Sequence, residues 1–201
     1  MIGQQVLLYF AILLFIIFAT VYFGVRRRQE RMFAVMAGAW VVIIDQYVKR
    51  AVVQSLALGE TAELLPGLLR LERVHNYGAA WSSFSGARWL LVGVTGAGLA
   101  LLFWLVTTIV RHPLGVWSLW LVIGGGAGNL IDRVVNGYVV DMLATEFMNF
   151  PVFNVADIFV TCGTAAAALY YLKYYDKTDA ANWESRKRHG TDHPDNGSGQ
   201  G

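Results

Sequence analysis

Long apolar runs separated by short polar segments dominate the chain. The run from Val6 to Val25 contains 20 uncharged residues, and the run from Trp89 to Val110 contains 22. Since a helix rises about 1.5 Å per residue, about 20 residues cross the hydrocarbon core of a bilayer. Three further apolar runs are Met32 to Ile44, which a helix through Val53 makes long enough to span, Leu114 to Ile131, and Ile158 to Tyr175. The pattern therefore predicts five transmembrane helices.

The segment from Val53 to Arg88 is too polar to span a membrane. The sequence from Leu64 to Gly67 contains Pro-Gly and predicts a turn. From Leu68 to Val74, apolar residues alternate with charged ones, as is typical of a half-buried strand. Aromatic residues that follow, including Trp81 and Trp89, suit a membrane–water boundary. We therefore expect a small β-sheet lying on the membrane surface.

Basic residues mark one side of the predicted bundle. They are Arg26, Arg27, Arg28, Arg31, Arg111, Lys173, Lys177, Arg186, Lys187 and Arg188. Because such residues favour the cytoplasmic side, we expect the N-terminus outside the cell and the C-terminus in the cytoplasm. The first run also fits a signal peptide, but the basic cluster follows it and no small-residue cleavage site does, which favours a helix.

The composition places the chain among integral membrane proteins. Its residues are 56% hydrophobic and 15% charged, whereas about a quarter of a soluble domain is charged. The single cysteine, Cys162, excludes an internal disulfide framework and a cysteine-based metal cluster. The four histidines show no metal-ligand spacing. We expect no metal, no cofactor and no nucleic-acid partner.

Carboxylates and amides recur at one set of predicted helix ends. They are Asp45, Asn76, Asn129, Asp132, Asp141, Asn154 and Asp157. Charged residues at membrane depth are costly to place and usually functional, so we expect these groups to gather at one face of the membrane. Asp45 and Lys49 lie four residues apart and can pair on one helix face. Such a pair either ends a helix by reaching the interface or contributes to the site.

Two carboxyl groups held close together do not both ionise at neutral pH, so one retains a proton. Such a pair can deprotonate a water molecule for attack on a carbonyl and then protonate the leaving amine. The apolar neighbours of Asp141, which should raise its pKa, and those of Asp157 favour these two acids, while spacing alone leaves Asp132 with Asp157 open. Arg133 could neutralise an acid or hold a substrate carbonyl.

Four blocks of sequence carry a resemblance to a known family. The blocks are DQYVK (Asp45 to Lys49), NYGAAW (Asn76 to Trp81), GGGAGNLIDR with GYVVDM (Gly124 to Met142), and PVFNVAD (Pro151 to Asp157). With them, the chain resembles lipoprotein signal peptidase (signal peptidase II), a bacterial membrane aspartyl protease. The resemblance implies an α-helical integral membrane protein with four core helices and an extracytoplasmic β-sheet, the β-cradle. The first apolar run is then an extra N-terminal transmembrane helix.

The resemblance also implies an activity and its residues. The family cleaves prolipoproteins just before the diacylglyceryl-modified cysteine. Asp141 and Asp157 match its catalytic dyad. The residues that match its supporting positions are Asp45, Lys49, Asn76, Gly78, Asn129, Asp132, Arg133, Asn154 and Ala156. We expect a monomer in the bacterial inner membrane, with prolipoproteins and membrane lipid as partners and the active site near the extracytoplasmic face.

The implied domains are residues 1–31 (extra helix and basic loop), 32–175 (catalytic membrane domain) and 176–201 (a polar cytoplasmic tail that we expect to be disordered). Two positions depart from the family pattern. Tyr77 stands where the family usually has a small polar residue, and Ile158 stands where it has serine. Two alternative functions are a proton-coupled transporter, since acids also form proton relays, and a non-catalytic lipoprotein-binding membrane protein.

Overall fold

The computed structural model describes residues 30–78 and 86–180 of the chain. Its regular elements are α1 (Glu30–Ser55), β1 (Thr61–Leu65), β2 (Leu69–Asn76), α2 (Arg88–Thr108), α3 (Pro113–Val135), β3 (Val139–Thr145), α4 (Val155–Tyr174) and a π-helical segment (Tyr175–Ala180). The first predicted helix, the Ala79 to Trp81 part of one family block and the tail after residue 180 lie outside the described residues.

Four helices within the described ranges are long and apolar enough to cross a membrane, namely α1 to α4. They correspond to the last four of the five predicted runs, so this part of the prediction is confirmed. Two boundaries differ from the prediction. Helix α3 continues four residues past Ile131 to Val135, and α4 begins three residues before Ile158, at Val155. The shifts bring Asp132 and Asp157 inside helices instead of leaving them in loops.

A three-stranded antiparallel sheet with the order β1-β2-β3 covers one end of the helices, which we call the sheet end. The predicted strand from Leu68 to Val74 corresponds to β2, with the predicted turn before it. Strands β1 and β3 were not predicted, and Leu64 and Leu65 of the predicted turn belong to β1. The pairing of β3 with β2 aligns Val74 with Asp141. A buried cluster holds the sheet against α1 and α4, and includes Val52, Leu71 and Met142.

Helix α3 is the centre of the bundle, because it packs against α1, α2 and α4. Its glycines allow this close packing. A Cβ atom on Gly124 would collide with the backbone of Gly38 in α1, and one on Gly128 would lie 2.5 Å from Asp45 Oδ2. Helix α2 is peripheral, with only Leu91 and Val106 buried. The glycine-rich run thus brings the polar groups of α1 and α3 into contact.

Asp179 attaches the π-helical segment to the end of the bundle opposite the sheet. Its Oδ2 atom accepts hydrogen bonds from the backbone N–H groups of Arg111 and His112 and from the Tyr170 hydroxyl. These amides precede α3, so a carboxylate here also favours the dipole of that helix. The described chain therefore remains packed against the bundle as far as Ala180.

Candidate active site

A cavity of about 540 Å³ lies at the sheet end, between β3 and the first turns of α4. Asp141 and Asp157 both line it, together with Asn76, Asn129 and Asn154. Much of the remaining wall is apolar and comes from the loop Phe150 to Phe153 and from Ile158, Val160, Thr161 and Cys162 on α4. The site thus joins a pair of acids to a pocket that suits apolar chemical groups.

Asp141 is held by two side-chain amides. Its Oδ2 atom accepts a hydrogen bond of 2.9 Å from Asn76 Nδ2, and its Oδ1 atom accepts one of 2.7 Å from Asn154 Nδ2. Only 2% of its surface is exposed. Burial, reinforced by the charge of Asp157, raises the pKa of Asp141 to about 6. This direction matches the prediction from its apolar sequence neighbours, and the electrostatic influence of Asp157 indicates that the two carboxyl groups are close.

Asp157 lies in the first turn of α4 and takes part in a reciprocal cap. Its backbone N–H donates to Asn154 Oδ1 at 3.0 Å, and its Oδ2 atom accepts from the Asn154 N–H at 3.1 Å. This capping box explains why α4 begins at Val155. The other carboxylate oxygen, Oδ1, accepts from Asn129 Nδ2 at 2.8 Å. Asp157 is therefore fixed by its own helix and by α3.

Asn154 connects the two acids. It is fully buried, and its Nδ2 group donates to both Asp141 Oδ1 and Asn129 Oδ1. Its neighbour Phe153 pairs with Leu143 on the free edge of β3 through two backbone hydrogen bonds, of 2.8 and 3.0 Å. This bridge sets the segment before α4 alongside β3, and so it fixes the position of Asn154 relative to Asp141.

Two further aspartates support the backbone beside this pair. Asp132 Oδ2 accepts a hydrogen bond of 3.1 Å from the N–H of Val140, the residue before Asp141. Asp45 Oδ1 accepts one of 3.0 Å from the N–H of Ala156, the residue before Asp157. Each of these carboxylates thus restrains the peptide that precedes one of the cavity acids.

Lys49 joins the two supporting aspartates. Its Nζ atom lies 2.8 Å from Asp45 Oδ2 and 3.0 Å from Asp132 Oδ2, and all three side chains are buried. It also donates to Asn129 Oδ1 at 2.9 Å. Of the two interpretations of Asp45 and Lys49, the geometry therefore favours a role in the site over a pair that reaches toward the interface.

The contacts of Asp132 also bear on which acids form the pair. Asp132 is engaged by Lys49, by the Val140 amide and by Gln46, whose Nε2 atom lies 3.0 Å from Oδ1. It does not line the cavity that Asp141 and Asp157 share. Gln46 was missed as a site residue although it lies within the DQYVK block, because nothing in its type or spacing distinguished it from a surface glutamine.

Arg133 and Gly78 contact each other at the mouth of the cavity. One guanidinium NH2 group of Arg133 donates to the Gly78 carbonyl at 2.8 Å, and the Gly78 N–H donates to Asn76 Oδ1 at 2.9 Å. Among the residues that the structure describes, no carboxylate forms an ion pair with Arg133. The structure therefore brings together every candidate site residue that the sequence analysis named.

The two departures from the family pattern occupy different places. Ile158 lines the cavity and adds to its apolar wall. Tyr77 does not line it; this side chain is 53% exposed and lies beside His75 and Tyr138, which stack on each other with ring centroids 3.8 Å apart. Of the two, only Ile158 therefore contributes a side chain to the cavity.

The fold and the site together define a helical membrane protein with a cavity that contains two closely placed carboxyl groups. A family model described as signal peptidase (SPase) II matches residues 37–173. The chain therefore belongs to the signal peptidase II family and is a peptidase.

Individual relatives agree with this family. The lipoprotein signal peptidase of Lactococcus lactis subsp. cremoris (strain SK11) is 43% identical over 122 residues, covering 61% of this chain and 81% of that protein. The lipoprotein signal peptidase of Enterococcus faecalis is 40% identical over 140 residues, covering 68% and 86%. A bacterial membrane enzyme solved by the in meso method at 2.3 Å superposes with a TM-score of 0.68 and 30% identity, over 70% of this chain and 87% of that one. These relatives favour a peptidase over the transporter and the non-catalytic binding protein.

Proposed function

We propose that this protein removes signal peptides from prolipoproteins by an aspartic mechanism, cleaving just before the diacylglyceryl-modified cysteine, with Asp141 and Asp157 as the dyad. The observation that carries the proposal is the pairing of these acids in one cavity, where the charge of Asp157 helps to raise the pKa of Asp141 to about 6. A pKa in this range leaves a fraction of Asp141 protonated near neutral pH, roughly a tenth at pH 7, and this fraction supplies the acid that the reaction requires.

The proposed reaction needs one protonated and one ionised acid. Asp157, as the carboxylate, removes a proton from a water molecule while the water oxygen attacks the scissile carbonyl carbon. Asp141, as the acid, donates its proton to the carbonyl oxygen, which gives a neutral tetrahedral intermediate. The C–N bond then breaks as the proton held by Asp157 passes to the leaving amine, and the intermediate's hydroxyl proton returns to Asp141. The acids end in their starting states.

The remaining side chains orient this chemistry. Asn76, Asn129 and Asn154 donate to the carboxylate oxygens and hold them in fixed directions. Arg133, whose Nε atom has no hydrogen-bond partner within the described ranges, is positioned to hold a substrate carbonyl near the cavity mouth. The apolar wall that includes Ile158 suits the lipid-modified part of the substrate.

Substitution of each acid tests the dyad. Asp141→Asn and Asp157→Asn preserve size but remove proton exchange, so each should reduce cleavage of a diacylated prolipoprotein by at least roughly 10²–10⁴-fold. The double variant should be no worse than either single one, because the two groups act as a unit. Equal amounts of folded protein, checked by thermal melting, are compared with a metal chelator present throughout.

Asp132→Asn is the matched control, because this acid has the same chemistry but contacts Lys49 and the backbone instead of the cavity. Its loss should lower stability and leave measurable turnover. Efficient cleavage by Asp141→Asn together with an inactive, well-folded Asp132→Asn would reassign the dyad to Asp132 and Asp157. Loss of wild-type activity in chelator would contradict the aspartic mechanism.

We also propose that the protein is a monomer in the bacterial inner membrane, with the sheet end outside and the C-terminus in the cytoplasm. The support is the distribution of basic residues, which favours the cytoplasmic side for the helix ends near Arg31 and Arg111. A reporter fused after Tyr175 should be cytoplasmic, and one inserted near Glu60 should be extracytoplasmic. Detection of both reporters on the same side would contradict this topology.

A further inference from the structure

A second cavity, of about 380 Å³, lies at the sheet end between α1 and α3. It is separate from the site that Asp141 and Asp157 line, and none of the steps proposed above uses it. Lys49 and Asp132 form part of its floor, and Arg50, Gln54 and Asn136 are exposed around it. The cavity is therefore open to the surface and has polar groups as well as aliphatic ones in its wall.

Arg50 is the cation available to a ligand there. It is exposed, and it makes no hydrogen bond or ion pair with any residue that the structure describes. Lys49 differs, because Asp45 and Asp132 already neutralise its charge. Gln54 lies four residues after Arg50, on the same face of α1, and Asn136 faces the cavity from the end of α3. A guanidinium with two neighbouring amides suits an anion with several oxygen acceptors, such as a phosphate.

Aliphatic side chains line the rest of this cavity. Val53 on α1 and Ile131 and Val135 on α3 contribute to its wall, with 38%, 39% and 72% of their surfaces exposed. Ile131 and Val135 are one helical turn apart, so together they form a short apolar strip along α3. Because α3 ends at Val135 and is long and apolar enough to span a membrane, this strip runs inward from Asn136 at the helix end, with Ile131 the deeper of its two residues.

We propose that this cavity binds an anionic phospholipid, with the phosphate on Arg50, Gln54 and Asn136 and the start of an acyl chain along Val135 and Ile131. The charges of Arg50 and Lys49 balance those of Asp45 and Asp132. Recognition therefore depends on direct contact with the guanidinium, since these four charges sum to zero at a distance. A phosphate without acyl chains lacks the apolar contacts and binds more weakly.

Lys49 links this lipid site to the active site. Its Nζ atom contacts Asp132 Oδ2, which borders the lipid cavity, and donates to Asn129 Oδ1, which borders the active site. Asn129 in turn donates to Asp157 Oδ1. A lipid that orders the end of α1 therefore acts on Asp157 through two consecutive hydrogen bonds.

Native mass spectrometry of the full chain in neutral detergent, titrated with phosphatidylglycerol or phosphatidylcholine, tests lipid binding directly. We expect the wild type to bind one phosphatidylglycerol in preference to phosphatidylcholine, and Arg50→Gln to weaken that binding by about tenfold, the effect of one lost charge-assisted contact. Arg50→Lys, which retains the charge, should recover part of the affinity. Arg70→Gln is the matched control, because Arg70 lies in the sheet and pairs with Glu72.

Three outcomes would overturn the proposal. The first is equal phosphatidylglycerol binding by the wild type and Arg50→Gln, and the second is equal loss in Arg50→Gln and Arg70→Gln. The third is displacement of the lipid by equimolar inorganic phosphate, which would identify a phosphate site in place of a lipid site. None of these measurements depends on peptidase activity, so failure of the proposed reaction and failure of the lipid site are distinguishable.

Discussion

Replacement of Lys49 by methionine is the sharpest test of how the supporting groups hold the site. Methionine retains much of the length of the side chain but removes the ammonium group. That group lies 2.8 and 3.0 Å from the buried carboxylates of Asp45 and Asp132, and it donates to Asn129. The variant therefore leaves two buried carboxylates without their common cation.

The magnitude follows from the burial of the cluster, since Lys49 is 3% exposed and Asp45 is fully buried. Removing one partner from a buried ion pair costs about 3–5 kcal/mol, because an uncompensated charge remains. For a chain of this size, each kcal/mol lowers the melting temperature by roughly 2–4 °C, so we expect a decrease of roughly 6–20 °C. Activity below the melting temperature should also fall, because Asn129 loses support for Asp157.

Thermal melting in neutral detergent free of anionic lipid measures this effect. Arg50→Met, at the adjacent position, is the matched control, because Arg50 is exposed and has no partner among the described residues; its change should stay within about 0.5 kcal/mol. Adding Asp132→Asn to Lys49→Met should recover part of the lost stability, because it removes one of the orphaned charges. A Lys49→Met variant that melts within about 3 °C of the wild type would refute the claim that Lys49 stabilises the fold by neutralising these two carboxylates.

Two further predictions concern pH and packing. The pKa of Asp141 is raised from 3.8 to about 6 on folding, so the folded protein binds this proton more tightly than the unfolded chain does. The resulting stabilisation is fully present below pH 3.8 and is lost as the pH rises through 6, by up to about 3 kcal/mol. The melting temperature of the wild type should therefore fall more steeply over this pH range than that of Asp141→Asn. Parallel plots of melting temperature against pH for the two proteins would contradict the raised pKa. Gly128→Ala should destabilise the protein by about 1–3 kcal/mol, since its Cβ would lie 2.5 Å from Asp45 Oδ2, whereas Gly93→Ala, with nothing within 4 Å, should be neutral or stabilising. Equal melting temperatures for these two glycine variants would refute the packing argument.

The pattern of apolar residues was sufficient to predict the helices of the bundle and one strand. Uninterrupted runs of spanning length have few alternatives in a membrane, because backbone groups there must be paired within the segment. The runs that became α1 to α4 were therefore recognisable. The boundary of α4 was also present in the sequence, since Asn154 and Asp157 have the spacing of a capping box, although the prediction began that helix at Ile158.

The sequence predicted which residues form the candidate site but not which hydrogen bonds and ion pairs join them. Acids at helix ends, together with the family blocks, indicated Asp141 and Asp157, and the apolar neighbours of Asp141 correctly indicated a raised pKa. Spacing alone left Asp132 as an alternative, because residues 132, 141 and 157 lie on three different elements. Distance along the chain says little about distance between such elements.

The contacts of each polar group depend on how the helices and the sheet pack together. Strand β3 pairs with β2 through long-range hydrogen bonds that its short apolar sequence does not specify. That pairing sets Asp141 beside Asn76, and the packing of α1 against α3 sets Asp45 and Asp132 on either side of Lys49. Local hydrophobicity was enough to predict which segments cross the membrane and which polar groups lie at their ends. Their partners depend on contacts between distant segments, and these exist only once the helices and the sheet have packed together.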